Sequence, residues 1–371
     1  MRVLGRPFYF HVQLDITNAC NLRCSHCYHS HHLNDGALDL EEWLRVVDKV
    51  EAFAKKLRIE PKLYICGGEP ITSSHLLPIS KAWIKKFPNS ARSILTNGTL
   101  LKKPMAGTNT DYASGLHQLG FEFQISVDGP DESTHDKIRG RGNFLRTMEA
   151  IERLNSVGAR YNVLSVLTDD SSKKIRNFFE LASERRFQRM DFERVVTVGA
   201  GESASDISGS ELKRVYEAIL FYSRKYKIHT NTRGPLWAAI DPVLGSADSL
   251  GFYDWIIGYK GNLKISSRSD YSIGHVLRDD PYDLLMGHPV LKKLRRRNID
   301  GCSQCRIFKK GKCSGNRNIA FAKTGSFFSK DPGCWLSPEI DAKNEKNFNW
   351  IRNFFDLKFN NRIGKNALER V

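Results

Sequence analysis

The chain has 371 residues, and 40% of them are hydrophobic, which is enough for a sizeable globular core. No apolar run approaches the roughly 18 to 20 residues of a membrane span, and the first residues lack the apolar stretch of a signal peptide, so we expect a cytoplasmic protein that does not bind membranes. The net charge of +16 favours an anionic partner, such as an acidic peptide, a nucleic acid or a phosphorylated small molecule.

Strand and helix patterns alternate about six times over residues 8–198. Strands are predicted at 8–15, 62–66, 91–96, 121–126, 161–167 and 188–197. Helices are predicted at 38–57, 75–87, 111–120, 143–158 and 172–185. Such alternation indicates parallel strands with helices outside, here an α/β fold of the partial (β/α)6 TIM-like barrel type. Chemistry in such folds lies at the carboxyl ends of the strands.

Composition changes after this region, and four segments are predicted. Residues 1–205 form the partial barrel, and 206–254 form a polar linker followed by one bridging helix. Residues 255–340 have short strand-like pieces at 255–267 and 319–329 together with four cysteines, which is typical of a small metal-stapled domain. Residues 341–371 form a C-terminal helical tail.

Three cysteines, Cys20, Cys24 and Cys27, follow the first predicted strand. In a long chain without an export signal, this density favours metal ligation over disulfides. Three thiolates on one loop can hold a [4Fe–4S] cluster and leave one iron open for another ligand. A zinc ion with His26 or His29 as the fourth ligand is the alternative.

The run "CNLRCSHCY" at residues 20–28 resembles the signature of the radical S-adenosylmethionine (SAM) superfamily. About forty residues later, "CGGEP" at 66–70 is similar to the GGEP motif of that superfamily. The resemblance implies that SAM chelates the open iron. It also implies that one electron cleaves SAM reductively and releases a 5′-deoxyadenosyl radical.

The resemblance also implies which residues contact SAM. Gly67 and Gly68 lack a Cβ, so the backbone can come close to a ligand, and Glu69 is expected to supply a negative charge near the SAM ammonium. Four further residues are implied to contact SAM: Asn97, Ser126, Arg139 and His26. Arg141 is the alternative to Arg139 as partner for the SAM carboxylate.

Catalytic side chains are harder to assign. Cys66 lies at a strand end beside the predicted SAM site and is a candidate hydrogen-atom donor, although a small buried residue is the alternative. Asp128 and Asp331 are acids near the motifs, and no general base stands out.

A second group of cysteines lies near the C-terminus, and four thiolates suit either zinc or a fully ligated [4Fe–4S] cluster. The group is Cys302, Cys305, Cys313 and Cys334. Its run resembles the C-terminal half of the SPASM domain, with Arg317 at a position where that domain often has another cysteine. The resemblance implies a shortened, twitch-like domain with one auxiliary cluster, which serves electron transfer or stability.

The same resemblance implies the substrate class. Most such enzymes modify ribosomally made peptides by hydrogen abstraction, which gives a crosslink, a thioether, an epimerised centre or an oxidised residue. The basic surface suits a peptide with an acidic leader, and flavodoxin or ferredoxin is the expected external electron donor. A small molecule such as a tetrapyrrole precursor is the alternative. A non-catalytic nucleic-acid binder rests on charge alone and is not expected.

Overall fold

The computed structural model describes residues 2–3, 6–7, 9–29, 32–204, 206–207, 209–246, 250 and 254–336. The helical tail predicted at 341–371 lies outside the described residues. Within the described part of the chain, no helix is both long enough and apolar enough to cross a membrane.

Eleven strands are present in the described residues. They are β1 Arg2–Val3, β2 Arg6–Pro7, β3 Tyr9–Asp15, β4 Glu60–Cys66, β5 Arg92–Thr96, β6 Phe121–Ser126, β7 Tyr161–Leu167, β8 Met190–Arg194, β9 Asp254–Ile257, β10 Asn262–Lys264 and β11 Ser272–His275.

Twelve α-helices accompany these strands in the same residues. They are α1 Leu40–Leu57, α2 Leu76–Lys86, α3 Tyr112–Gln118, α4 Glu132–Arg139, α5 Asn143–Ser156, α6 Asp169–Ser172, α7 Ile175–Glu184, α8 Gly209–Tyr226, α9 Pro281–Gly287, α10 Pro289–Arg295, α11 Arg306–Lys309 and α12 Arg317–Thr324.

Nine of the strands form one sheet in the order β11-β10-β9-β3-β4-β5-β6-β7-β8. Strands β3 to β8 are neighbours in chain order and all run parallel, with helices in the connections between them. The predicted α/β fold with six parallel barrel strands is therefore confirmed. All six carboxyl ends meet at one edge of the sheet, where the motif residues of the sequence also fall.

Strand β9 pairs in parallel with β3, and β10 and β11 continue the sheet in antiparallel fashion. The predicted boundary between residues 254 and 255 thus lies inside β9, a strand of the same sheet. The division into four segments remains a prediction.

The local sequence explains why each element has two distinct faces. In β6, buried and half-buried residues alternate, so Phe121, Phe123 and Ile125 pack into the core while the residues between them face the other side of the sheet. Helix α1 begins at a capping box formed by Asp39 and Glu42 and buries one apolar stripe. The strand face that the helices leave uncovered carries the candidate site.

One predicted strand-like piece is wrong. Residues 317–324 form α12, although the segment 319–329 has a strand-like pattern. The Asn316 side chain accepts a hydrogen bond from the Ile319 amide and caps the helix. Gly325 then ends it in the left-handed conformation, with a φ of 72°.

Candidate functional site

The first cysteine loop connects β3 to α1 at the carboxyl edge of the sheet. Cys20, Cys24 and Cys27 are free of disulfides, and all three line one cavity of about 310 Å³. Asn34, which the sequence analysis did not single out, holds the start of the loop, because its Oδ1 accepts hydrogen bonds from the Asn18 and Ala19 amides at 2.7 and 3.1 Å. The Asn34 side chain therefore fixes the backbone just before Cys20, the first of the three cysteines.

The Gly-Gly turn after β4 packs directly against this loop. The Gly68 amide donates to the Thr17 carbonyl at 2.8 Å, and the Glu69 amide donates to the Ala19 carbonyl at 2.9 Å. A Cβ on Gly68 would lie 2.3 Å from the Ala19 oxygen, and one on Gly67 would lie 2.2 Å from the Thr17 oxygen. The two glycines thus allow the turn to pack against the cysteine loop. The close approach of their backbone to a ligand, which the sequence predicts, is a separate role.

We expect Gly68→Ala to displace the cysteine loop, because the new methyl group would contact backbone atoms that cannot rotate away. Because a second cluster is expected at the C-terminal cysteines, the substituted protein should retain about half of the wild-type iron after anaerobic reconstitution, as measured by iron analysis per chain. Gly287→Ala is the matched control, since a Cβ there meets nothing within 4 Å. Equal iron retention in the two variants would contradict the steric argument.

Glu69 is fully buried beneath the cavity and does not line it. Its carboxylate accepts hydrogen bonds from the Thr96 hydroxyl and the Asn97 amide, both at 2.8 Å, and from the Ile71 amide at 3.2 Å. Burial raises the pKa of Glu69 to about 7, although these donors oppose the rise. A cation bound in the cavity would stabilise the charged form, which is the electrostatic role that the sequence predicts for this residue.

Asp128 is a central residue that the sequence analysis noted only as a nearby acid. Its Oδ2 lies 2.6 Å from His26 Nε2 and 2.5 Å from Arg139 Nε, and its Oδ1 accepts from the Val166 amide at 2.8 Å. Burial alone would raise the pKa of Asp128, but Arg139 and His26 outweigh it and hold the pKa well below its usual range. The carboxylate therefore stays ionised and fixes the Arg139 and His26 side chains at the cavity.

Arg139 keeps its charge for the same reason. Burial would lower the pKa of the guanidinium, but the Asp128 carboxylate more than offsets this and raises the pKa. The structure thus places a permanent positive charge beside Cys24 and Cys27 at the cavity wall. An anionic group bound in the cavity would find its partner here.

The cavity brings together most of the residues that the sequence predicts for the SAM site. Besides the three cysteines, its wall includes His26, Cys66, Gly67, Gly68, Asn97, Ser126 and Arg139. Arg141 is exposed and does not belong to the wall. The structure therefore selects Arg139 over Arg141 as the candidate arginine.

Cys66 is buried at the end of β4 and faces the same cavity. Its sulfur lies 4.0 Å from the Tyr28 hydroxyl. Burial raises the pKa of the Cys66 thiol to about 12, so the S–H bond is retained at neutral pH. A retained S–H is the first requirement for a hydrogen-atom donor.

The second cysteine group lines a separate small cavity of about 30 Å³. Cys302, Cys305, Cys313 and Cys334 are all free thiols there. Burial raises the pKa of Cys313 to about 12, and a positively charged metal group bound there would stabilise the thiolate form. Arg317 is fully buried nearby and donates to the carbonyls of Phe327 and Ser329 at 2.9 and 2.6 Å.

Neither cysteine group has the geometry of a site for a single metal ion. Among the described residues, no three His, Cys, Asp or Glu side chains converge closely enough to hold one ion. A zinc site needs all four ligands within about 2.3 Å of one point. A [4Fe–4S] cluster spreads its cysteine ligands over separate irons, so the residues present fit a cluster better than zinc.

A buried ion network connects the two cavities. Arg194 lines the first cavity and donates from Nη1 to both carboxylate oxygens of Asp331, at 2.9 and 3.1 Å, while Asp331 lines the second cavity. Its Nη2 also donates to Asp206 at 3.0 Å. Sequence reasoning missed this network because its members lie up to 137 positions apart.

A parallel sheet with three cysteines on the loop after its first barrel strand is the arrangement expected of an iron–sulfur enzyme that uses SAM, and the family comparison agrees. Residues 14–182 match the model of the radical SAM superfamily. These residues are a radical SAM domain, and the protein is a radical SAM superfamily enzyme. Membership implies a [4Fe–4S] cluster and SAM.

Among known proteins, the chain is similar to the AdoMet-dependent heme synthase of Methanosarcina barkeri, with 26% identity over 88% of this chain and 96% of that protein. It is also similar to the sporulation killing factor maturation protein SkfB of Bacillus subtilis, with 24% identity over 73% of this chain and 63% of that protein. Native anSMEcpe with bound AdoMet and Cp18Cys peptide shares the fold, with a TM-score of 0.71, 17% identity, and 94% of this chain and 98% of that chain covered.

Proposed function

We propose that this enzyme abstracts a hydrogen atom from a ribosomally synthesised peptide and so forms a crosslink, a thioether, an epimerised centre or an oxidised residue. The size of the first cavity carries this proposal. At about 310 Å³, it is near the lower end of the roughly 300 to 1,000 Å³ of small-molecule sites. Because SAM must share this space, the remainder suits one inserted side chain better than a substrate that is enclosed whole.

The residues of the first cavity have separate roles in this proposal. Cys20, Cys24 and Cys27 would hold the cluster, which would supply the single electron for reductive cleavage of SAM. Arg139, fixed by Asp128, binds the SAM carboxylate. Glu69 balances the ammonium from below, and Gly67 and Gly68 hold the turn against the loop.

Three polar side chains complete the proposed SAM site. Asn97 is fixed by a 3.0 Å hydrogen bond from its Nδ2 to the Asn21 side chain and faces the cavity. Ser126 at the end of β6 offers a hydroxyl for the ribose or the carboxylate. His26, held by Asp128, orients the loop backbone toward the adenine. Cys66 remains the candidate donor of a hydrogen atom to a substrate radical.

We also propose that Cys302, Cys305, Cys313 and Cys334 hold one auxiliary [4Fe–4S] cluster in a twitch-like domain. Four thiols around one small apolar cavity support this. With four protein ligands, no iron is left open for a substrate. The cluster would then serve electron transfer, with flavodoxin or ferredoxin as the external donor, or stability.

A tetrapyrrole precursor is the second candidate substrate. The specific observation in its favour is the similarity to the AdoMet-dependent heme synthase of Methanosarcina barkeri, which spans nearly the whole length of both chains.

Anaerobic co-expression with any short open reading frame found beside the gene separates the two substrates. We expect one peptide to lose two hydrogen atoms or to gain solvent deuterium in D₂O, as measured by mass spectrometry. The Cys24→Ala variant, which removes one cluster ligand, should leave the same peptide unchanged. Unmodified peptides, together with 5′-deoxyadenosine production that rises only when a tetrapyrrole is added, would overturn the peptide proposal.

A further inference from the structure

Positive charge is concentrated around two of the C-terminal cysteines. Residues 289–312 contain nine basic side chains and one acidic side chain, so this short segment contributes half of the net charge of +16. The segment includes Cys302 and Cys305. The basic side chains are Lys292, Lys293, Arg295, Arg296, Arg297, Arg306, Lys309, Lys310 and Lys312.

The structure gathers these residues into one surface, which we name the basic rim. Arg297 joins its two halves, because its Nη2 donates to the Phe308 carbonyl at 2.9 Å and to the Cys313 carbonyl at 3.0 Å. Its guanidinium also lies over the Phe308 ring at 4.6 Å. Helix α10 is thereby held beside the loop that carries α11. Seven members of the rim are exposed: Lys292, Lys293, Arg296, Arg306, Lys309, Lys310 and Lys312.

Carboxylates do not neutralise the lysines of this rim. Among the described residues, no ion pair involves any rim lysine, whereas Lys86 pairs with both Asp48 and Glu51 on α1. Lys173 likewise pairs with Asp169. Within the part of the chain that the structure describes, these lysines therefore present uncompensated charge to an approaching molecule and attract an acidic partner over long distance.

The rim surrounds cysteines that are themselves partly accessible. Cys302 and Cys305 are half-buried, in contrast to the buried Cys313. The Lys309 amide donates to the Cys305 carbonyl at 3.0 Å, so Lys309 lies one helical turn after Cys305. A protein that binds the rim is brought next to the C-terminal cysteine site. This position suits a redox partner, because electron transfer requires a short distance between the two redox centres and does not require an open iron.

We propose that the basic rim is the docking surface for an acidic protein that carries single electrons. The reduced carrier gives up one electron, the cluster held by Cys302, Cys305, Cys313 and Cys334 accepts it, and no atom is transferred. This inference rests on the proposed auxiliary cluster. It adds the location of the partner and the charge that recognises it.

The test uses the anaerobically reconstituted holoenzyme and a fully reduced flavodoxin as the probe. Oxidation of the flavodoxin is followed by stopped-flow absorbance without SAM. We expect Lys309→Glu/Lys310→Glu to slow this step by about tenfold at low salt, and high salt to remove most of the difference. The control is Lys81→Glu/Lys85→Glu on α2, which reverses two exposed lysines that also lack an ion pair among the described residues. The control should change the rate by less than about twofold.

The outcomes separate the docking site from the cluster. Iron analysis that finds no iron at the C-terminal cysteines would overturn the auxiliary cluster and the docking inference together. With the iron intact, equal rates for the two double variants would overturn docking alone. Slower reduction of the rim variant by dithionite, a small reductant that needs no docking, would also overturn it. The docking inference would also be overturned if the rim variant no longer bound an acidic peptide but oxidised flavodoxin at the wild-type rate.

Discussion

Replacing Arg194 with methionine is expected to lower the free energy of unfolding by about 3 to 5 kcal/mol. The Arg194 and Asp331 side chains are 2% and 1% exposed, and Asp206 is 7% exposed. Without the guanidinium, two carboxylates remain buried without the ion-pair partner that they share, and methionine keeps much of the volume. Urea unfolding of the anaerobic protein, followed by circular dichroism, measures the loss.

The loss should also depend on pH. Burial already raises the pKa of Asp206 in the native protein, and removal of Arg194 removes an interaction that opposes this. A carboxyl whose folded pKa is above its unfolded value stabilises the fold when protonated, and this stability is lost as the pH rises. The loss of unfolding free energy in Arg194→Met should therefore be largest at pH 8 and become smaller toward pH 5.

Arg160→Met provides the control for this prediction. Arg160 is 83% exposed and lies 3.3 Å from Glu122, which is 45% exposed. Exposed ion pairs contribute little to stability, so the change should be small at every pH. A loss at Arg194 no larger than the loss at Arg160 would show that the buried network does not hold the structure together.

The fold was largely predictable because its signals are local. Alternating strands, amphipathic helices and glycine turns repeat along residues 8–198, and each depends on neighbours in the chain. The order of β3 to β8 followed, since consecutive parallel strands with helical connections have few arrangements. The clustering of motif residues at one edge was predictable for the same reason: each follows a strand.

Contacts between distant segments could not be predicted in this way. Nothing in the sequence around Arg194 indicates Asp331, since a buried ion pair has no local period. The pairing of β9 with β3 joins residues about 240 positions apart. The sequence of a strand does not specify which distant strand it pairs with. The clash that would follow a Cβ at Gly68 likewise appears only when the cysteine loop is folded against it.

Replacing Asp128 with asparagine is expected to cost about 3 to 5 kcal/mol of unfolding free energy and to loosen the cysteine loop. Asparagine keeps the shape of the side chain but removes the charge that compensates Arg139, which is 9% exposed. It also weakens the 2.6 Å contact with His26, which lies between Cys24 and Cys27. Iron per chain and SAM affinity should both fall, the affinity by at least about tenfold.

The sign of the pH dependence distinguishes this network from the one at Arg194. Because the pKa of Asp128 is lowered in the folded protein, its stabilisation is complete above the unfolded pKa of about 4 and is lost only as the pH falls through the folded value. The difference between the wild type and Asp128→Asn should therefore be the same at pH 6 and pH 8. Asp131→Asn is the matched control, since Asp131 is 44% exposed in its pair with Lys174 and asparagine still caps α4. Wild-type iron retention and stability in Asp128→Asn would mean that the cysteine loop holds its position without this carboxylate.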